Sequence, residues 1–109
     1  MKILLISPVV AVEKRTPNAL TIPQLALHIL AGLTPEKHQV KIVEEEYELT
    51  DLNESCDIVG ISCMTSTVTR GYELAREFKN RGKTVIMGGI HPTVLPDEAI
   101  QNCDAVVIG

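Results

Sequence analysis

The sequence predicts an α/β domain: an open five-stranded parallel sheet in the order 2-1-3-4-5, with helices on both faces. Three observations lead there. Short apolar runs alternate with segments of helical period from one end of the chain to the other. The first run, Lys2 to Ser7, is continuously apolar at its centre (Ile3-Leu4-Leu5-Ile6), as suits a strand covered on both faces. The second, Gln39 to Glu45, mixes Val40, Ile42 and Val43 with Lys41 and Glu44 and reads as a strand nearer an edge.

The remaining elements follow in order. Ile22, Leu25, Ala26, Ile29, Leu30 and Leu33 recur at helical spacing, with Pro23 acceptable in the first turn and Thr34-Pro35 ending the helix. Leu49 to Glu54 reads as a short helix and Asp57 to Ser62 as the third strand. Thr67 to Arg81 is a helix with Val68, Tyr72, Ala75 and Phe78 on one face, capped at its start by Thr65, Ser66 or Thr67 and ended by Gly82. Thr84 to Met87 forms the fourth strand, Pro96 to Asn102 a short helix and Asp104 to Ile108 the fifth strand. Cys56-Asp57-Ile58-Val59 and Cys103-Asp104-Ala105-Val106 echo each other, which suggests two equivalent entries into strands. Right-handed helical crossovers make all these strands parallel, and the order is of the flavodoxin-like, Rossmann-like kind. Ligands of such sheets bind beyond the carboxyl ends of the strands, here among the loops after Ser7, Ser62 and Met87.

Composition narrows the function. The 109 residues carry ten basic and fourteen acidic side chains, a formal charge of −4, with 45% hydrophobic and 3% aromatic residues. One domain, residues 1–109, accounts for that length. Scattered Lys and Arg and so few aromatics argue against nucleic acid. No apolar stretch approaches the roughly 20 residues of a membrane span, and no secretory leader is recognisable, so a cytoplasmic protein is expected. The chain stops at Gly109 directly after a strand, where another helix would be expected, which suggests a piece of a longer protein.

The loops after the strands exclude several chemistries. The long segment Pro8 to Thr21 contains no glycine, and neither G-x-G-x-x-G nor G-x-x-x-x-G-K occurs in the chain. A magnesium-dependent phosphoacceptor needs carboxylates after the first and third strands, where this chain has Ser7 and Ser62. Cys56, Cys63 and Cys103 lack metal-ligand spacing. Cys63 reads as a buried thiol or, with a depressed pKa, a nucleophile. Ser62 sits a turn too early to cap the following helix and is free to face a ligand. Gly88-Gly89 after the fourth strand permits an unusual turn or a close approach to the main chain. His91, beside Pro92, reads either as a solvated turn residue or as a ligand-facing donor or base. His28 and His38 read as surface residues.

Leu5-Ile6-Ser7-Pro8, Asp57-Ile58-Val59-Gly60-Ile61-Ser62-Cys63-Met64-Thr65, Gly88-Gly89-Ile90-His91-Pro92-Thr93 and Ala105-Val106-Val107-Ile108-Gly109 together carry a resemblance. The chain resembles the N-terminal cobalamin-binding domain of cobalamin-dependent radical S-adenosylmethionine enzymes, over essentially its whole length. The resemblance implies that Ser7, Pro8, Ser62, Met64, Thr65, Gly88, Gly89 and His91 form a cobalamin site. There Ser62 would hydrogen-bond the nucleotide tail, Gly88 and Gly89 would give it room, and Thr65 and His91 would line the mouth. It further implies a downstream radical domain with a 4Fe-4S cluster and S-adenosylmethionine, to which the corrinoid is presented for methyl transfer or a related radical reaction. In related domains a D-x-H-x-x-G motif in the first loop supplies a histidine to cobalt; residues 8–21 contain neither His nor Asp. The isolated chain is expected not to be catalytic. A degenerate domain of the same fold that scaffolds or recognises substrate, and a small enzyme using Cys63 or His91, are the alternatives.

Overall fold

The structure, a computed structural model, describes residues 1–9 and 25–108. The elements run β1 (Lys2–Ser7), α1 (Leu25–Leu33), β2 (Gln39–Glu44), β3 (Ile58–Ser62), α2 (Val68–Asn80), β4 (Thr84–Gly88), α3 (Ile90–Val94), α4 (Pro96–Ala99) and β5 (Ala105–Val106). The five strands form one parallel sheet in the order β2-β1-β3-β4-β5, as the sequence predicts. Expectations that fall on residues 10–24, including Ile22 and Pro23 at the helix start, lie outside the described residues.

Strand alternation divides the core. Leu4 and Ile6, Val59 and Ile61, Val85 and Met87 project to one face and are buried beneath Leu74, Ala75 and Phe78 of α2. Phe78 is fully enclosed, and a side chain of that size contributes on the order of 2–3 kcal/mol on burial. The second face carries Ile3, Ile58 and Ile86, each only partly buried. Over β1 and β2 that face is covered by α1, whose Leu27 is buried and whose His28 Nε2 lies 3.7 Å from Glu44 Oε1.

α2 approaches the sheet closely because Gly71 lets it. A Cβ at this position would collide with Cys63 Sγ. Gly71→Ala is therefore expected to destabilise the domain by about 1–3 kcal/mol of overpacking, despite the roughly 1 kcal/mol that alanine gains in helix propensity. The double variant Cys63→Ala/Gly71→Ala recovers most of that loss in urea unfolding, because without Sγ the nearest atom is Met87 Cε at 3.4 Å. At the other end of α2, Gly82 has φ 79° and donates to Lys79 O at 2.9 Å, while Lys83 N–H reaches Phe78 O at 3.0 Å. This is the Schellman closure that the glycine predicts.

The Cys-Asp echo has a structural basis. Asp57 donates its N–H to Lys2 O and accepts Lys2 N–H on Oδ2, both at 2.8 Å. Asp104 does the same with Val85, again at 2.8 Å for both bonds. Each aspartate thus clamps the neighbouring strand at its entry, and each preceding cysteine turns into the core.

Several local expectations are corrected. Leu49 to Glu54 forms turns, not a helix, because the Asp51 side chain takes the Asn53 N–H at 2.9 Å and offers the backbone a competing bond. Thr67 occupies the N-cap position of α2, yet its hydroxyl faces backwards, accepting Met64 N–H at 3.0 Å and making no cap bond to the helix. The fifth strand has two residues, and the segment after Gly89, read as a loop, coils into α3. His38 is partly buried, not a surface residue. Among the described residues no helix is long and apolar enough to cross a membrane.

Candidate functional site

The carboxyl ends of the strands bring most of the predicted site residues together. Ser62 is paired in register with Gly88, and Gly60 with Ile86, so Gly60, Ser62 and Gly88 share the second, incompletely covered face of the sheet. Ser7 pairs with Glu44 in register and ends β1 one position beyond the Ile6–Ile61 pair, extending the same row. The result is a strip of minimal side-chain bulk, bordered by Leu5 and Val107. A Cβ on Gly60 would lie 2.8 Å from Leu5 Cδ2, and one on Gly88 3.6 Å from Val107 Cβ. The Ser62 hydroxyl makes no hydrogen bond to any described residue, whereas most hydroxyls around it are committed. Ser7 and Pro8 are buried, and Met64 is exposed at the rim.

The loops after β3 and β4 are laced to each other. Cys63 N–H donates to Gly88 O at 3.0 Å, and His91 N–H returns to Cys63 O at 3.2 Å. Gly89 makes this possible with φ 101° and ψ −168°, a conformation essentially reserved for glycine. A Cβ there would lie 2.7 Å from Cys63 O and 2.9 Å from Cys63 N. Gly89 therefore serves the join between the loops, and Gly88, beside Val107, is the glycine that leaves open surface on the strip.

His91 is not the solvated turn residue that its neighbour Pro92 suggested: it is buried, because α3 turns it back against the loop after β3. Its Nδ1 lies 3.2 Å from Thr65 Oγ1 and its Nε2 2.6 Å from Glu98 Oε2, and the same carboxylate oxygen accepts Tyr72 OH at 2.7 Å. Tyr72 also packs edge-on against the imidazole, with centroids 6.3 Å apart. The bonds from His91 and then Tyr72 hold the Glu98 carboxyl below its ordinary pKa. Burial, with the Glu98 carboxylate adding to it, pushes the Tyr72 phenol well up. Both ring nitrogens are engaged, so His91 ties the loop after β3 to α4.

A second network stands at the ends of β1 and β2. Glu45 is fully buried and receives Arg70 Nε at 3.0 Å and Arg70 Nη2 at 2.9 Å, the Thr50 hydroxyl at 2.8 Å and the Val9 N–H at 3.3 Å. Burial works to raise its pKa, but the Arg70 and Thr50 bonds, the guanidinium charge and the Val9 amide together hold it below the ordinary value. Arg70 is bound again by Glu73 at 2.7 Å.

Gly60, Tyr72, Glu98, Glu45 and Arg70 were not singled out from the sequence. Gly60 was legible, because it precedes Ser62 by two residues on one strand and so shares its face. The others find their partners only through the fold, apart from the Arg70–Glu73 helical pair.

Chemically, the arrangement offers a bare strip with the Ser62 hydroxyl uncommitted among the described residues, which suits binding. Burial, with a smaller contribution from Cys103, pushes the Cys63 thiol up to about 12, the opposite of an activated nucleophile. Among the described residues no group of three or more His, Cys, Asp or Glu side chains could hold a metal. A cavity of about 270 Å³ lies at the opposite, amino ends of β1 and β2, lined by Lys2, Gln39, Lys41 and Glu54, and holds no predicted site residue.

Comparison with known proteins agrees with the fold. The B12 binding domain family matches residues 18–109. A bacteriochlorophyllide d C-8(2)-methyltransferase of Chlorobaculum tepidum is 41% identical over 86 residues, 78% of this chain and 19% of its own. An uncharacterized methyltransferase of Pyrococcus horikoshii is 35% identical over 100% of this chain and 27% of its own length. A bacteriochlorophyllide d C-12(1)-methyltransferase of Chlorobaculum tepidum is 40% identical over 49% of this chain and 12% of its own. The chain thus spans about a quarter or less of the curated relatives it matches. No solved structure matches. By its sheet order and by the match over most of its length, the chain belongs to the B12-binding domain family.

Proposed function

We propose that the chain is the cobalamin-binding module of a longer cytoplasmic enzyme, one that presents the corrinoid to a catalytic radical S-adenosylmethionine domain for methyl transfer or a related radical reaction. The observation that carries this reading is the strip of Gly60, Ser62 and Gly88, where the Ser62 hydroxyl has no hydrogen-bond partner among the described residues. Cobalamin, when bound, supplies a cobalt centre able to take up and release an alkyl group. This chain's residues bind and orient: Ser62 hydrogen-bonds the nucleotide tail, Gly88 leaves it room, Ser7 and Pro8 continue the row, and Met64 and Thr65 rim the mouth. The 4Fe-4S cluster and S-adenosylmethionine belong to the catalytic domain in this reading; the methyltransferase names of the relatives support methyl transfer.

Titration with hydroxocobalamin, followed by its visible spectrum, tests binding. Gly88→Ala makes the test specific to the strip. The new methyl meets Val107 only at ordinary contact distance, so the fold and its urea midpoint stay unchanged. The same methyl fills the strip and weakens cobalamin binding at least about tenfold, a difference of about 1.4 kcal/mol. Equal affinity of the parent and Gly88→Ala would move the site elsewhere.

A cofactor-free scaffold of the same fold is the second reading, favoured by the lack of His and Asp in residues 8–21. No spectral change at high micromolar hydroxocobalamin would establish it.

A further inference from the structure

Alternation along β1 puts Ser7 on the same face of the sheet as Leu5, whose side chain lies over Gly60. Ser7 thus belongs to the row that runs from Glu44 through Ser62 and Gly88 to Val107. It is 7% exposed, and its hydroxyl has no hydrogen-bond partner among the described residues. A hydroxyl taken out of water without a partner works against folding. Among the described residues His38 Nδ1 is the one unpartnered side-chain nitrogen or oxygen sealed from solvent, so the Ser7 oxygen is still reachable. The backbone around it is held from the other face: Ser7 O accepts the Glu45 N–H at 3.0 Å, and Glu45 Oε1 accepts the Val9 N–H at 3.3 Å. A hydroxyl that is unpaired, reachable and fixed in place is one that a ligand completes.

We propose that Ser7 and Ser62 form a two-hydroxyl shelf that recognises an uncharged nucleoside, base and sugar but not phosphate. This rests on the cobalamin reading, in which that nucleoside is the one in the tail, and it names the part of the tail that the row selects. Each hydroxyl can donate to a ring nitrogen and can either donate to or accept from a sugar hydroxyl.

The rest of the row sets that chemistry. Neighbouring strands stand about 4.8 Å apart, so hydroxyls at adjacent strand ends meet one group of nucleoside size together. Leu5 over Gly60 gives the shelf an apolar floor, and Val107 Cβ, 3.6 Å from where a Cβ on Gly88 would stand, gives it an apolar end. A flat aromatic base matches both. On the other side the register partner of Ser7 is Glu44, whose carboxylate lies 3.7 Å from His28 Nε2. The row therefore contains a carboxylate and neither Lys nor Arg, so a phosphate would meet like charge and find no cation to pair with. The phosphodiester of the tail accordingly lies outside the row.

One variant separates a binding hydroxyl from a structural one by sign. Ser7→Ala removes an unpaired buried oxygen, so the urea midpoint of the apo chain stays level or rises. Cyanocobalamin affinity falls in the same variant by about twofold to tenfold, the size of one net hydrogen bond. The nucleoside of the tail is the second probe. α-Ribazole, which lacks the phosphate, shifts the amide signals of Ser7 and Ser62 in nitrogen-15 NMR at millimolar concentration, whereas inorganic phosphate at the same concentration leaves them in place. A lower urea midpoint in Ser7→Ala shows that the fold uses the hydroxyl and overturns the shelf. Unchanged cyanocobalamin affinity in Ser7→Ala overturns it as well, and leaves the cobalamin reading standing. Phosphate that moves the two signals where α-ribazole does not refutes the assigned chemistry. Binding of α-ribazole without binding of cyanocobalamin keeps the shelf and defeats the cobalamin reading; binding of neither defeats both.

Discussion

Arg70→Met lowers the stability of the domain by about 3 kcal/mol, the lower end of the range for leaving a buried charge unpaired, since the Arg70 side chain is 22% exposed in the parent. The melting temperature falls by roughly 12 to 24 °C for a domain of this size. Glu45 is the reason. Its side chain is 0% exposed, and without the guanidinium the Thr50 hydroxyl and the Val9 amide are too few to hold a carboxylate there. The loss depends on pH with a definite sign. In the parent, Glu45 has a lowered pKa, so its contribution is present above the ordinary carboxylate range and disappears as pH falls through the lowered value. In the variant, burial raises the same pKa and the carboxyl protonates early. The gap between the two proteins is therefore widest near neutrality and narrows in acid. Urea unfolding at several pH values measures it, and an equal midpoint at neutral pH would show that the pair contributes nothing. Removing both charges, in Glu45→Met/Arg70→Met, restores part of the stability, because no unpaired charge is left buried, although the Thr50 hydroxyl and the Val9 amide lose their acceptor.

The second large effect is at Gly89. Gly89→Ala must either adopt φ near 101° with ψ near −168°, a conformation costing about 1–3 kcal/mol for a residue with Cβ, or give up the join between the loops. Contact between the new Cβ and the backbone of Cys63 adds to this, since 2.7 Å from a carbonyl oxygen leaves no room for relaxation by a side chain. A total of about 3 kcal/mol is expected, and the amide resonances of Cys63 and His91 should shift together as their bonds loosen. Gly88→Ala, one residue earlier, leaves both the stability and these resonances as they are. If the two alanines behaved alike, the division of labour between the glycines would be wrong.

The sheet and its order were readable because each depends on local pattern: continuous apolarity in β1, mixed character in β2, and helical spacing in α2. Even the paired Asp57 and Asp104 clamps left a trace, since the same task at two strand entries selects the same Cys-Asp pair. The candidate strip was readable to the extent that it is made of small residues at strand ends, as with Ser62 and Gly88. Its supporting networks were not. Arg70 meets Glu45 across 25 positions, and Thr65 meets His91 across 26. His91 and Glu98 are seven residues apart but are separated by the break at Leu95, so neither helical nor strand spacing relates them. Leu49 to Glu54 misled because its apolar and acidic residues fit a helix, while Asp51 stabilises a turn at the same place.

The strand order also dictates how the chain finds its structure. β1 sits between β2 and β3, and its innermost pairing joins Lys2 to Asp57 across 55 residues. Closing a loop of that size costs roughly 3.5 kcal/mol of chain entropy before any neighbouring contact returns it. The middle of the molecule is accordingly late to assemble: on the ribosome the first strand emerges well before the partner that completes it, and must wait with an apolar flank uncovered until that partner is made.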